Sequence, residues 1–374
     1  MNAKDTYLQP LGTLQLIAII MVVLGHFWIK DAVFLNSACV SFCFVYSGFF
    51  TAMFHPFGQG YGLREHGRFM WYKLAKLYPL HVLGIALGLL SGYITWHATG
   101  VNPRILLAHL TLTSPWIADR AYYFGVNPVA WFICALFFLY LVAPLVVKLL
   151  RLIPRVRWQA VLILTLLALE FVCGYSADPD SEPLLLNRFH LYQFPPLRLL
   201  DFATGIVLFN ASQSTAWRRL ADRLTPRATT LVEAGAVILS IALYYLGKTY
   251  LHEHCYRAFC ASAPAVVVLL GAFVFTTGRN GAVSRVLSLH PLVVLSTIGA
   301  EIYLLQLGVH FSLRPLLLQC GLVKGTTPYL LTQLAALLLV SWLVHRYFVI
   351  PIRDRLDCRS SHEAPSKGKS AEKA

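Results

Sequence analysis

Long apolar runs constrain this chain more than any other feature of its sequence. Each run spans roughly 18–25 residues, the length at which a helix crosses the hydrocarbon core of a bilayer. Lipid offers no hydrogen-bond partner to exposed backbone groups, so a helix is the expected form of each run. The runs cover residues 11–29, 33–53, 70–94, 128–149, 158–176, 192–210, 229–247, 259–277, 291–318 and 329–350. The sequence predicts an all-α, polytopic membrane helical bundle of about ten transmembrane helices.

Composition supports the membrane class and a single domain. Hydrophobic residues make up 57% of the chain and charged residues 13%, whereas soluble domains are about 45–50% apolar and about 25% charged. A shorter run at 104–115 is expected to be re-entrant or interfacial. The first run is too long for the apolar core of a signal peptide and is kept as the first span. We predict one integral-membrane domain over 1–354 and a disordered cytoplasmic tail over 355–374.

The basic residues predict the orientation of the bundle. The net charge is +14, but the charges lie in short clusters between apolar runs, which argues against a nucleic-acid partner and for loops on the cytoplasmic side. With the N-terminus inside, 22 of the 31 Lys and Arg residues fall on that side and nine on the other. Both termini are therefore predicted to be cytoplasmic.

A few ionisable residues within the apolar runs are the candidates for chemistry, because such groups are costly in lipid and usually line a bundle interior. His26, near the outer end of the first helix, is either a structural histidine or a general base. Lys73 and Lys76 are three residues apart and are expected to share one helix face. They are either a basic anchor at the membrane surface or a site for phosphates.

Three further positions carry polar groups inside the predicted membrane. Arg198 and Asp201 lie at i and i+3, where each can neutralise the other as a structural ion pair. Glu301 is an isolated carboxyl group within the ninth run, and Gln306 and His310 share a stripe on that helix.

No metal site is predicted from the sequence. The histidines of "HEH" at 252–254 are adjacent in a loop and do not make a full ligand set. No CxxC pair occurs among the eight cysteines, and Cys255 and Cys260 can form a disulfide only in an oxidising compartment.

Several stretches in chain order resemble the membrane-bound acyltransferase 3 family. In the first helix Leu14, Ala18, Val22, Val23 and His26 match its pattern, and "VYSGFF" and "KLAKLYPL" resemble its second- and third-helix motifs. "NPVAWFICALFFLYLVAP", "LRLLDFATG", "EIYLLQ" and "HRYFVIPIR" resemble the later ones. The chain departs from the pattern at several positions: Gln15 stands where the family has arginine, Lys73 and Lys76 stand where it has arginines, and its fourth-helix glutamate falls near Leu136. Gln306 stands where the family has histidine, with His310 one turn later.

The resemblance implies transfer of an acyl group, usually acetyl, from cytoplasmic acyl-CoA (acetyl-CoA) to an acceptor at the outer face. It implies a catalytic His26, with Glu301 and His310 as supporting catalytic candidates. Gln15, Lys73 and Lys76 are the expected donor-site residues. The residues predicted to bind the acceptor are Trp131, Arg198, Asp201 and Gln306.

The sequence therefore predicts a bacterial inner-membrane O-acyltransferase that acts on a hydroxyl of an extracytoplasmic or lipid-linked glycan, such as exopolysaccharide or O-antigen. Two alternatives stay open. One is a transporter or flippase for a glycan or small polar metabolite, whose path the buried polar groups would line. The other is a non-catalytic membrane component descended from an enzyme. This alternative stays open because Gln15 replaces the family's arginine.

Overall fold

A computed structural model describes residues 8–29, 33–55, 57–58, 60–91, 102–176, 192–250 and 259–355. Every regular element within these ranges is helical, and they contain no strand. The helices are α1 Gln9–Phe27, α2 Val33–Phe54, α3 Leu63–Leu90, α4 Pro103–Leu110, α5 Arg120–Tyr123, α6 Trp131–Arg151, α7 Val156–Ser176, α8 Arg198–Ser212, α9 Thr215–Asp222, α10 Pro226–Tyr250, α11 Phe259–Phe275, α12 Ala282–Leu287, α13 His290–Ser296, α14 Gly299–Gln319 and α15 Thr327–Val344. The all-α fold class is confirmed.

Fewer helices than predicted are long and apolar enough to cross a membrane. Six pass by length and composition among the described residues: Gln9–Phe27, Leu35–Phe54, Leu63–Leu90, Trp131–Arg151, Pro226–Tyr250 and Thr327–Arg355. A seventh is added if α13 and α14, which meet at a 65° bend, form one broken span. The apolar parts of α7 and α11 are shorter, at Val156–Leu169 and Ser262–Phe275. The predicted number of ten is not confirmed.

Two of the predicted runs are divided in the structure, and prolines account for the start of α8. The run predicted at 192–210 is interrupted: Tyr192 and Gln193 are helical, but the long helix α8 begins only at Arg198, after Pro195 and Pro196, because proline lacks the amide donor that continues a helix. The run predicted at 291–318 is divided into α13, which has Pro291 in its first turn and ends at Ser296, and α14, with a 65° bend between them. A proline is favoured in the first turn of a helix, where its missing N–H would have no partner.

Helices α2 and α8 form the tightest seam of the bundle. A Cβ atom at Gly48 would collide with the backbone carbonyl of Phe202, and one at Gly205 would collide with that of Val45. Glycine is therefore required on both helices for the backbones to approach this closely. Both glycines belong to stretches that carry the family resemblance.

Helices α1, α3 and α14 run parallel, which sets the depth of the candidate residues. The Cδ1 atom of Ile19 lies 3.0 Å from where a Cβ of Gly299 would be, and the side chain of His26 meets that of Gln306. On α3, Gly84 faces the Leu304 carbonyl, and further along the same two helices a Cβ at Gly308 would lie 2.8 Å from Leu87 Cβ. We call the end of the bundle at which α1 and α3 begin the near end and the opposite one the far end.

Candidate active site

His26 lies in the last turn of α1 and its side chain is exposed. Its ring Nδ1 is 2.8 Å from Oε1 of Gln306. The amide of Gln306 is 1% exposed, and its Nε2 donates a hydrogen bond to the Tyr303 carbonyl at 2.9 Å. The structure therefore unites a residue predicted as catalytic with one predicted to bind the acceptor, and they are separated by 280 positions in the chain.

His310 lies beside this pair without bonding to His26. Its ring stacks on that of Phe27, with centroids 4.2 Å apart and planes 14° from parallel. The side chain is buried, and Gln333 of α15 donates to its backbone carbonyl at 3.4 Å. The position facing His26 is occupied by Gln306, so His310 contributes packing at the edge of the site.

Glu301 does not face His26. It is five residues before Gln306 on α14, which rotates its side chain by about 140° around the helix. Its Oε1 atom instead pairs with Nδ1 of His345 at 2.6 Å, where α15 passes into a π-helical segment over His345–Val349. Sequence reasoning missed His345, although it begins the stretch "HRYFVIPIR"; π-helical turns are frequent at functional sites.

The Arg198–Asp201 pair forms as predicted, with Nη1 and Oδ2 2.8 Å apart and both side chains 0% exposed. Arg198 also reaches Ser41 of α2 at 3.4 Å. Trp131, likewise predicted to bind the acceptor, is buried against the rings of Phe44 and Tyr192. Complete burial favours the structural role that the spacing of the ion pair also suggested.

The two lysines of α3, three residues apart on the helix, have different surroundings. The Nζ atom of Lys73 lies over the ring of Tyr140, 4.5 Å from its centroid. Lys76 is exposed and lines a small groove with Pro79, Leu80, Phe348, Val349, Ile352 and Arg353. A spacing of three residues leaves side chains about 60° apart, which suffices to send one inward and one to the groove.

The positive charge of Lys73 also acts on the α2–α3 connection. Burial, and secondarily this lysine, lower the pKa of His55 to about 4.

Gln15 is half-buried on α1 and makes no hydrogen bond with the described residues. Along the parallel helices, the depths of Lys73 on α3 and His26 on α1 differ by about 20 Å, at 1.5 Å per residue.

No group of three or more His, Cys, Asp or Glu side chains in the described ranges could hold a metal ion. The histidines at 252 and 254, Cys255 and the tail after Arg355 lie outside the described residues, as does the side chain of Cys260. The predictions made for them are therefore neither confirmed nor contradicted.

Comparison with known proteins identifies the family. The acyltransferase 3 family, described as an acyltransferase domain, matches residues 11–346. The chain belongs to the acyltransferase 3 family. One curated relative, Acyltransferase MdmB of Streptomyces mycarofaciens, is 28% identical in an alignment of 201 residues that covers 49% of this chain and 49% of the relative. The chain thus spans about half the length of this relative. No solved structure gives a significant match.

Proposed function

We propose that this member of the acyltransferase 3 family is a membrane O-acyltransferase. It moves an acyl group, with acetyl as the first candidate, from cytoplasmic acyl-CoA to a hydroxyl of an extracytoplasmic or lipid-linked glycan. The observation that carries the proposal is the exposed imidazole of His26 at the far end of α1, with one ring nitrogen engaged by Gln306. The family match over residues 11–346 supports the reaction class.

In the proposed reaction His26 acts as general base. Its free ring nitrogen removes the hydroxyl proton as the acceptor oxygen attacks the thioester carbonyl. The new C–O bond forms and the C–S bond breaks, and the departing CoA thiolate takes a proton from the imidazolium. Atoms and protons then balance, and no metal is required by this route.

The near end offers the groups for the donor. CoA carries several phosphates that cannot enter hydrocarbon, so we assign them to Lys73 and to Lys76, which lines its groove together with Arg353. The 22-to-9 distribution of basic residues supports a cytoplasmic near end. The pantetheine arm would then follow the rise of about 20 Å toward His26.

The test compares a strain that lacks the protein with strains complemented by wild type, His26→Ala or His290→Ala at matched membrane levels. His290 is also exposed but begins α13, so its variant controls for loss of an imidazole. Ester-linked acyl groups on purified glycans are measured by NMR and mass spectrometry. We expect esters with wild type and His290→Ala, and a loss of about 10²–10⁴-fold with His26→Ala.

Two results would contradict the proposal. Equal esterification with and without the protein would reject the glycan acceptor, and unmodified substrate moved across the membrane would indicate a transporter. Full activity of His26→Ala would keep the enzyme but reject its base.

A further inference from the structure

We infer that Gln306 is a positioning residue that fixes the tautomer of His26, so that Nε2 is the nitrogen that takes the proton. The inference rests on the proposed function for its kinetic meaning, but its structural basis is independent. It also assigns Gln306 a role other than the acceptor binding predicted from its sequence position.

The amide of Gln306 can be oriented in only one favourable way. Its Nε2 lies 2.9 Å from the Tyr303 carbonyl oxygen, where a donor is needed. If the amide were reversed, two oxygens would face each other at this distance in a nearly inaccessible position, without a hydrogen between them. The oxygen Oε1 therefore faces His26.

This orientation determines which ring nitrogen of His26 carries hydrogen. An amide oxygen only accepts hydrogen bonds, so Nδ1 of His26 must donate across the 2.8 Å contact. In a neutral imidazole the hydrogen is then absent from Nε2, whose lone pair is available to a hydroxyl group. His26 therefore donates to Gln306, and Gln306 donates to the Tyr303 carbonyl, so both hydrogen bonds run in the same direction from α1 into α14.

The chemistry of the partner distinguishes this site from the usual acid–base dyad. A carboxylate both orients an imidazole and compensates its positive charge after protonation, whereas an amide supplies only the orientation. In this bundle the carboxylate of Glu301, on another face of α14, pairs with His345 and not with His26. Replacing the amide by a carboxylate should therefore change the proton affinity of His26 without moving its ring.

The first experiment measures the pH dependence of acyl transfer by the full-length protein in nanodiscs, with acetyl-CoA and purified glycan. Gln306→Leu removes the acceptor for Nδ1 and should lower kcat by at least about 10-fold and at most about 10⁴-fold, with the KM for acetyl-CoA unchanged. Gln306→Glu should keep activity and move the acidic limb of the profile up by about 1 pH unit or more. Gln159→Leu removes another buried amide, in the first turn of α7, and should leave the profile unchanged.

A second experiment does not depend on activity. Diethyl pyrocarbonate modifies unprotonated imidazole, and the extent at His26 is followed by mass spectrometry between pH 5 and 9. With Gln306→Glu the midpoint for His26 should rise by about 1 pH unit or more relative to wild type, and with Gln159→Leu it should not change. An unchanged midpoint overturns the positioning role. A shifted midpoint in a protein that forms no ester supports the role and rejects the proposed function.

Discussion

The α2–α8 seam and the α1–α14 contact both hold polar side chains between helices, but they hold them differently. In the seam, Arg198 and Asp201 are completely buried and glycines let the backbones touch. In the α1–α14 contact, His26 is exposed and is held by a single neutral amide. A polar side chain between helices can thus either stabilise the bundle or be available to a substrate. Its solvent exposure distinguishes these roles, whereas its residue type does not.

The strongest test of the seam is Gly205→Val. The side chain would have to enter the space occupied by the Val45 carbonyl and the Phe49 amide, which cannot move without separating the helices. We expect loss of the monodisperse peak in fluorescence-detected size-exclusion chromatography. Gly235→Val is the control, because a Cβ there meets nothing within 4 Å. Normal folding of Gly205→Val would show that the seam is less tight than described.

The second test separates structure from substrate binding at the ion pair. Asp201→Asn leaves the Arg198 charge without its carboxylate in a fully buried position. Breaking a buried pair costs about 3–5 kcal/mol, whereas replacing both partners by apolar residues costs much less. We expect a large drop in melting temperature in detergent for Asp201→Asn, and partial recovery in Arg198→Met combined with Asp201→Leu. A stable Asp201→Asn protein that no longer binds acceptor would restore the substrate-binding prediction.

The third test concerns the near end. Lys73→Met removes a charge that lies over the Tyr140 ring and that we assign to donor phosphates. We expect the KM for acetyl-CoA to rise about 10-fold, equivalent to about 1.4 kcal/mol, with kcat little changed. Lys73→Arg should recover most of this loss. Lys148→Met, an exposed lysine in the last turn of α6, should leave KM unaltered, and an equal effect there would mean that only overall charge matters.

The smallest expected effect is the pH response of the α2–α3 connection. His55 has a pKa of about 4, below the ordinary 6.5. The unfolded chain therefore binds its proton more readily, and stability falls as pH decreases from about 6.5 to about 4, with no further change below. His55→Phe keeps a ring against Phe69, whose centroid is 4.7 Å away. Its melting temperature should exceed that of wild type by more at pH 5 than at pH 7; a constant difference would contradict the assignment.

The helical class and the family could be predicted from the sequence because both depend on features that extend along the chain. Run length and apolar composition indicate membrane helices, and the ordered motifs indicate the family. The number of full spans could not be predicted, because the bend between α13 and α14 and the late start of α8 depend on packing and on Pro195 and Pro196. Apolar content alone does not show where a helix breaks.

The candidate site could be predicted only in part. His26 stood out as an ionisable residue in an apolar run, but its partner, 280 positions away on another helix, could not be predicted from sequence spacing. Glu301 was a catalytic candidate from the sequence, and helix rotation directs it away from His26 to His345. Gly205 and Trp131 of the family motifs are buried in contacts between helices, which the motif could not show, because a motif records which residues recur and not what they contact.

The contact between His26 and Gln306 has a consequence for how the protein is made. His26 is translated 280 residues before Gln306. Until α14 inserts, the imidazole has no fixed tautomer and no neighbour on that side. A nascent or truncated chain that ends before α14 therefore carries the base without the means to orient it, and the site is completed only when α14 has been made.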